Sequence, residues 1–339
     1  MTSAAAPWKT GGDAYQQMAG TIFDYWSCWT ISAMADLSIA DHLADGSLTA
    51  DEVALREGSG SEATLRLMRA GVAVGLLTEE VDGRFGSTPL LATLRTDDPK
   101  SVRPWVQSMM GSYWPWAQFS NALREGNTPS TNAYDGTIFD YLAGHPEEAA
   151  LFSAAMASIT GVWGSAFADA IDTSGVKCAV DVGGANGSLL RHLQRKNPSL
   201  QGIIFDRPNT IQHAEAAIRE AGLTQRTRVV GGNFFESVPS GDLLLLKFIL
   251  HDWADADSTT ILQRCREALA PEGRIAVVEM VVDKANPYAG LMDMMMFTAC
   301  TGRERSIEEY DALFEAAGLK RTAVRDTGTP MGVIEAGLA

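Results

Sequence analysis

Three groups of residues in this chain have the types and spacing to act together. The first is a glycine turn, Asp181-x-Gly183-Gly184-x-x-Gly187, set directly behind the apolar run 178–182. The second is Asp206, which closes the next apolar run, 202–205. The third is His251-Asp252-Trp253, which follows the apolar run 242–248, with carboxylates further on at Glu279 and Glu304.

The glycine turn points to a class of ligand. A dinucleotide fingerprint spaces its glycines as G-x-G-x-x-G, and a pyrophosphate needs several backbone N–H groups aimed at one anion. Here an aspartate precedes the turn, which repels a phosphate and suits a ligand carrying an amine or a cation. Glycine lets backbone approach such a ligand closely. Asp206 is placed to take two ribose hydroxyls. A ribose without a phosphate, near a positive centre, describes S-adenosylmethionine (SAM). A nicotinamide dinucleotide and a purely structural turn are the alternatives. After a third apolar run, 227–230, Asn233 offers an amide to an adenine edge and Phe234 a ring to its face.

His251 carries the chemistry. Methyl transfer from a sulfonium is an in-line displacement, so the enzyme mainly aligns the acceptor. A phenol, with a pKa of about 10, is a poor nucleophile until deprotonated, and a histidine titrating near neutrality suits that task. Glu279 and Glu304 are the candidates for fixing its tautomer. Glu304 sits in Gly302-Arg303-Glu304-Arg305 and could equally pair with its arginines. His251 could also simply close a strand. His251 and Asp252 could ligate a metal, but His42, His145, His192 and His213 lie on unrelated elements, so no metal is expected.

These residues need a scaffold. Strand, glycine turn, helix, strand, acid over 177–206 is one βαβ half of a doubly wound sheet, in which ligands bind beyond the carboxyl ends of the strands. The continuous apolar run 242–248 reads as a central parallel strand. Strands at 274–282, 319–327 and 330–337 and helices at about 211–221, 257–270 and 306–317 complete the alternation. Ahead of it, residues 1–12 read as loose, and a helical pattern begins at Tyr15 with Ile22, Trp26, Trp29 and Met34 on one face. Thr49 with Glu52 has capping-box spacing, and Ser61 reads as the cap of the next helix. Asp82-Gly83 between short runs signals a hairpin. Helix, turn, helix, hairpin is a winged-helix pattern.

Composition bounds the partners. The 339 residues carry a net charge of −15, with 46% apolar and 20% charged residues. Within 46–95, five arginines face seven carboxylates. Electrostatics supplies nearly all non-specific DNA affinity, so this winged helix reads as a dimerisation module and no nucleic-acid partner is expected. No run of 18 apolar residues predicts a membrane span. Four scattered cysteines and the absence of a signal-peptide pattern read as a cytoplasmic protein with reduced thiols.

Residues 98–165 read as helical and are rich in rings: Trp105, Tyr113, Trp114, Trp116, Phe119, Tyr141, Phe152 and Trp163. Most are expected in the core or a dimer interface, some in a pocket for a flat substrate. The methionines around Met292 and Met296 could clamp an aromatic ring. Met156, Trp163, Trp253, Met292, Met296 and Phe297 are the candidate acceptor-lining residues.

DVGGANG, IIFDRP, GGNFF, LKFILHDW and GRERS, in this order, resemble the class I SAM-dependent small-molecule O-methyltransferases, among them plant caffeate-type and actinobacterial carminomycin-like enzymes. The likeness covers almost the whole chain. It implies a winged-helix-like dimerisation domain over 1–100, a helical linker over 101–165 and a Rossmann-like catalytic domain over 166–339, its sheet mostly parallel with an antiparallel last strand. It implies His251 as the base flanked by Glu279 and Glu304. It places cofactor contacts at Gly183, Gly184, Asp206, Asn233, Phe234 and Lys247. The expected activity is O-methylation of a small natural product within a homodimer. N- or C-methylation or hydroxylation on the same fold is the alternative. One departure stands out: the family usually has aspartate where this chain has Asn233, which keeps a carbonyl acceptor and drops a charge.

Overall fold

The computed structural model describes residues 13–111, 113–130 and 138–339, without the side chains of Tyr113, Trp114 and His213. The stretch 1–12 therefore lies outside the described residues. The chain divides into two compact units, Met1–Ser112 with Ala154–Ser158, and Tyr113–Ser153 with Ile159–Ala339.

The first unit starts with helix Ala14–Asp36, capped reciprocally by Asp13 and Gln16. The capping box expected at Thr49 is present. Thr49 Oγ1 accepts the Glu52 N–H at 3.2 Å, and Glu52 Oε2 accepts the Thr49 N–H at 2.7 Å, starting helix Ala50–Glu57. Ser61 is not a cap. Gly60 takes that position, Ser61 becomes the first residue of helix Ser61–Ala73, and the upstream hydroxyl of Ser59 pairs with Thr64 at 2.7 Å. Strands β1 (Leu77–Glu79) and β2 (Phe85–Ser87) form the predicted hairpin, with Gly83 at φ +80° in its turn. Met34, Ile39, Val53, Met68, Phe85 and Leu91, all 0% exposed, make this unit's core. The far face of the first helix leaves Tyr15, Met18, Ile22, Tyr25 and Trp26 exposed.

The second unit is built on a sheet. Leu243, Leu244, Leu245 and Leu246 are each 0% exposed, as a strand covered on both faces requires. The seven strands are β3 (Cys178–Val182), β4 (Gln201–Asp206), β5 (Thr227–Gly231), β6 (Gly241–Lys247), β7 (Leu269–Met280), β8 (Leu319–Asp326) and β9 (Met331–Leu338). Their order is β5-β4-β3-β6-β7-β9-β8. β3 to β7 run parallel, and β9 is antiparallel to both neighbours. Side chains alternate between two cores. Val180, Leu244 and Val277 face helices Asp255–Ala268 and Ile307–Ala316, while Ala179, Leu243 and Val278 face helix Ser188–Lys196. The chain runs outward from β3 through β5, then crosses back to β6. The switch in direction lies between β3 and β6, and a doubly wound sheet opens its ligand crevice at such a point.

Two local expectations change. β7 begins at Leu269 rather than 274, because Leu269 pairs with Gly241 before an irregular step in which Glu272 takes φ +64°. The helix expected at 211–221 splits into a 3₁₀ turn, Ile211–His213, and helix Ala214–Glu220. Among the described residues, helix Pro146–Ala170 is long and apolar enough to cross a membrane by length and composition, and its Phe167 and Ala168 are buried in the second unit's core.

Candidate active site

The glycine turn lies at the switch point, and the chain itself demands its glycines. Gly183 and Gly187 sit at φ +70° and +71°. A Cβ on Gly183 would fall 2.3 Å from Ile249 Cδ1, and one on Gly187 2.2 Å from Ile204 Cδ1. The Gly183 and Gly184 N–H groups donate to the Phe205 carbonyl at 2.8 and 3.3 Å, locking the turn to β4. Asp206, at the end of β4, reaches across: its Oδ2 accepts the Ala185 N–H at 2.9 Å and its Oδ1 the Arg207 N–H at 2.7 Å. Burial raises its pKa, and these bonds pull it back. A carboxylate has about four acceptor positions, so these two bonds and the Thr210 side chain leave Asp206 with acceptor capacity to spare.

Buried acids and a lysine alternate at the ends of β3 and β6. Burial pushes Asp181 up to about 6, against the pull of Lys247. Burial pushes Lys247 down to about 8, against Asp181 and Asp252. Burial pushes Asp252 up to about 7, against His251. Lys247 Nζ stands 4.5 Å from the centre of the Phe248 ring, which in turn stacks on His251 with centroids 5.4 Å apart.

Asn233 is exposed and serves its own turn. Its Oδ1 accepts the Phe235 N–H at 3.1 Å and its Nδ2 donates to Glu236 Oε1 at 3.2 Å. That second bond gives a physical reason for the amide, because an aspartate here would set two carboxylates together. Phe234 meets Trp253 edge-on at 5.9 Å.

His251, 5% exposed, sits in a 3₁₀ turn, Leu250–Asp252, just beyond β6. Its Nδ1 lies 2.7 Å from Glu304 Oε1. Its Nε2 lies 3.6 Å from Asp252 Oδ1, beyond hydrogen-bond range. Burial pulls the imidazole down, but the charges of Glu304 and Asp252 outweigh it and raise it to about 9. Of the two carboxylates expected to compete for the ring, Glu304 makes the contact. Glu279, 0% exposed, does something else. Its Oε1 accepts the N–H groups of Ile249, Leu250 and His251 at 3.1, 2.7 and 3.2 Å, and its Oε2 accepts the Tyr310 hydroxyl.

Sequence reasoning missed the residues that fasten this turn. Arg305, 0% exposed, donates to the carbonyls of Leu250 and Trp253, both at 2.8 Å, and to Asp255 Oδ1 at 2.9 Å. Gly302 lets the two loops touch, since a Cβ there would fall 2.0 Å from the His251 carbonyl oxygen. Arg305 and Gly302 flank Glu304 in the chain, which was the available signal. Tyr310 gave none.

The candidate acceptor residues do not all gather. Trp253 stacks on Phe139 at 5.7 Å and meets Phe235 edge-on at 4.8 Å. Phe297 packs edge-on to Phe119 at 6.1 Å, and Phe119 lies 5.2 Å from Trp116. Met296 is buried, with the Cys300 thiol 3.8 Å from its sulfur. Met292 and Trp163 pack against the core cluster of helix Ser188–Lys196. Met156 belongs to the first unit, not to the one that holds His251. The rings of Tyr113 and Trp114 lie outside the described residues. Those residues contain no group of three or more His, Cys, Asp or Glu able to hold a metal.

A mostly parallel doubly wound sheet, with an acid closing β4 and a carboxylate-paired histidine just beyond β6, is the arrangement of a class I methyltransferase. The comparisons make it specific. The O-methyltransferase domain family matches residues 116–320, and the O-methyltransferase dimerisation domain matches residues 20–97. The chain belongs to this O-methyltransferase family, whose members use SAM. It is 35% identical over 321 residues to a phenazine O-methyltransferase of Lysobacter antibioticus, covering 93% of this chain and 94% of that one. The crystal structure of LaPhzM superposes with a TM-score of 0.93 at 33% identity, covering 97% of this chain and all 100% of that one. NcsB1, an O-methyltransferase of neocarzinostatin biosynthesis solved with SAM and 2-hydroxy-5-methyl naphthoic acid, gives a TM-score of 0.79 at 29% identity, covering 92% and 96%. An 8-amino-8-demethylriboflavin N,N-dimethyltransferase of Streptomyces davaonensis is 28% identical over 317 residues, covering 91% and 90%.

Proposed function

We propose that the chain methylates a phenolic hydroxyl of a small aromatic natural product, with His251 as general base. The observation that carries this reading is the buried 2.7 Å contact between His251 Nδ1 and Glu304 Oε1. It fixes the proton of the neutral ring on Nδ1 and leaves Nε2 to accept one. Asp252 stands too far from Nε2 to occupy it. With His251 raised to about 9, base and phenol are closely matched, which favours proton transfer in the transition state. SAM, when bound, supplies the methyl group already activated as a sulfonium. Asp206 would hold its ribose, Gly183 and Gly184 its amino-acid end, Asn233 and Phe234 its adenine, and Lys247 the floor beneath it. Trp253, Met292, Met296 and Phe297 would position the acceptor ring, with Trp163 contributed by the long helix Pro146–Ala170. Glu279 would hold the histidine turn in place.

The working form in this reading is a homodimer joined through residues 1–100. The match to a dimerisation domain and the exposed aromatic face of helix Ala14–Asp36 support it. N-methylation is the second reading, favoured by the N,N-dimethyltransferase relative. Methyl incorporation from labelled SAM into paired phenol and aniline panels tests both. Transfer to phenols that depends on His251 supports the first, and transfer to anilines alone overturns it.

A further inference from the structure

Helix Pro287–Ala299 brings Asp293 to the loop that carries Glu304. Asp293 Oδ1 accepts the Glu304 backbone N–H at 3.0 Å, and Glu304 Oε1 meets His251 Nδ1 at 2.7 Å. Glu304 Oε2 is buried and has no hydrogen-bond partner among the described residues. A carboxylate so poorly solvated responds strongly to nearby charge.

We propose that Asp293 is a positioning residue that sets the pH at which the His251–Glu304 pair gives up its proton. The inference rests on the reading of His251 as the base. The pair exchanges one proton with solvent: with it the pair is neutral overall, without it the pair carries one negative charge. A fixed negative charge at Asp293 disfavours the second state, whichever partner holds the proton. Burial is the largest cause raising Glu304, His251 opposes it, and Glu279 and Asp293 add to it. The other groups facing the pair are Asp252 and Glu279, which push the same way, the protonated Tyr310 and Cys300, Lys247, which burial pushes down to about 8, and the cation Arg305. Glu279 cannot lose its charge to an amide without setting that amide's N–H₂ against the Tyr310 hydroxyl that now donates to it. Asp293 can, because asparagine keeps an acceptor for the Glu304 N–H.

The test is an NMR titration of His251 in the full chain labelled at histidine, with no SAM or acceptor added and the signal assigned by its loss in His251→Ala. Asp293→Asn is expected to lower the midpoint by about half a pH unit or more. Asp293→Glu, which restores the charge, is expected to hold it closer to the parent. A midpoint unmoved or raised in Asp293→Asn overturns the proposal, as does an equal fall in Asp293→Glu. Should Asp293→Asn fail to fold, Asp293→Ser keeps a hydroxyl acceptor without the charge and carries the same expected fall. The base reading fails separately, if His251→Ala retains turnover, and the titration needs no turnover.

Discussion

Glu279 accepts the backbone N–H of His251 at 3.2 Å, not a ring nitrogen, and so holds the histidine by its main chain while Glu304 holds it by its imidazole. Two carboxylates that look equivalent in the sequence divide the work between turn and ring. Glu279→Gln can offer one carbonyl oxygen to the three N–H groups but sets an amide against the Tyr310 hydroxyl. Thermal unfolding is expected to show a loss of about 1–3 kcal/mol, the usual penalty for an unsatisfied buried polar group. Glu304→Gln is expected to lose less stability and to lower the pH at which His251 titrates.

His251→Ala is expected to leave SAM affinity nearly unchanged and to lower turnover by about 10²–10⁴-fold, the usual worth of a positioned general base. Raising the pH towards 10 should restore part of the mutant's rate, because hydroxide then ionises the phenol directly. Calorimetry and initial rates across pH check the two halves separately. Parent turnover on the true acceptor would falsify the assignment.

The pH dependence follows from His251 being raised to about 9. Neutral imidazole is the base, and its fraction grows as pH rises through that value, so turnover should climb with pH rather than plateau at neutrality. A cation beside the ring favours the neutral form. The His251 midpoint, followed by NMR, is therefore expected lower in the SAM complex than in the S-adenosylhomocysteine complex, whose sulfur is uncharged. Equal midpoints would place the sulfonium away from the ring.

At the cofactor end, Asp206→Ala is expected to weaken SAM binding by about 2 kcal/mol or more, through lost charge-assisted bonds to the ribose. Asn233→Asp restores the residue usual in the family but faces Glu236 Oε1, now 3.2 Å from the Asn233 amide nitrogen. Calorimetry is expected to show weaker SAM binding in Asn233→Asp and recovery in the double variant with Glu236→Gln. No difference between single and double variants would remove Glu236 from the account.

Light scattering is expected to give twice the chain mass at micromolar concentration. Trp26→Glu with Ile22→Glu, both on the exposed face of helix Ala14–Asp36, is expected to shift the protein towards monomer. Unchanged mass in that variant would place the interface elsewhere.

The sequence by itself determined the order of elements and the residue types at each strand end. An apolar run closed by Asp206 and a leucine run leading to His251 are local signals, set by hydrophobic period and turn chemistry over a few neighbours. The same locality explains the capping box at Thr49 and the hairpin at Gly83. Only the tertiary structure decided which carboxylate meets the imidazole. Glu279 and Glu304 lie 28 and 53 residues from His251, and their choice of partner depends on how β7 and the 302–305 loop pack against the turn after β6. Tyr310 was silent for the same reason, and Arg305 signalled only through its place beside Glu304. A fully buried guanidinium or hydroxyl is stable only where acceptors converge, and the Leu250, Trp253, Asp255 and Glu279 oxygens converge only once the sheet has formed.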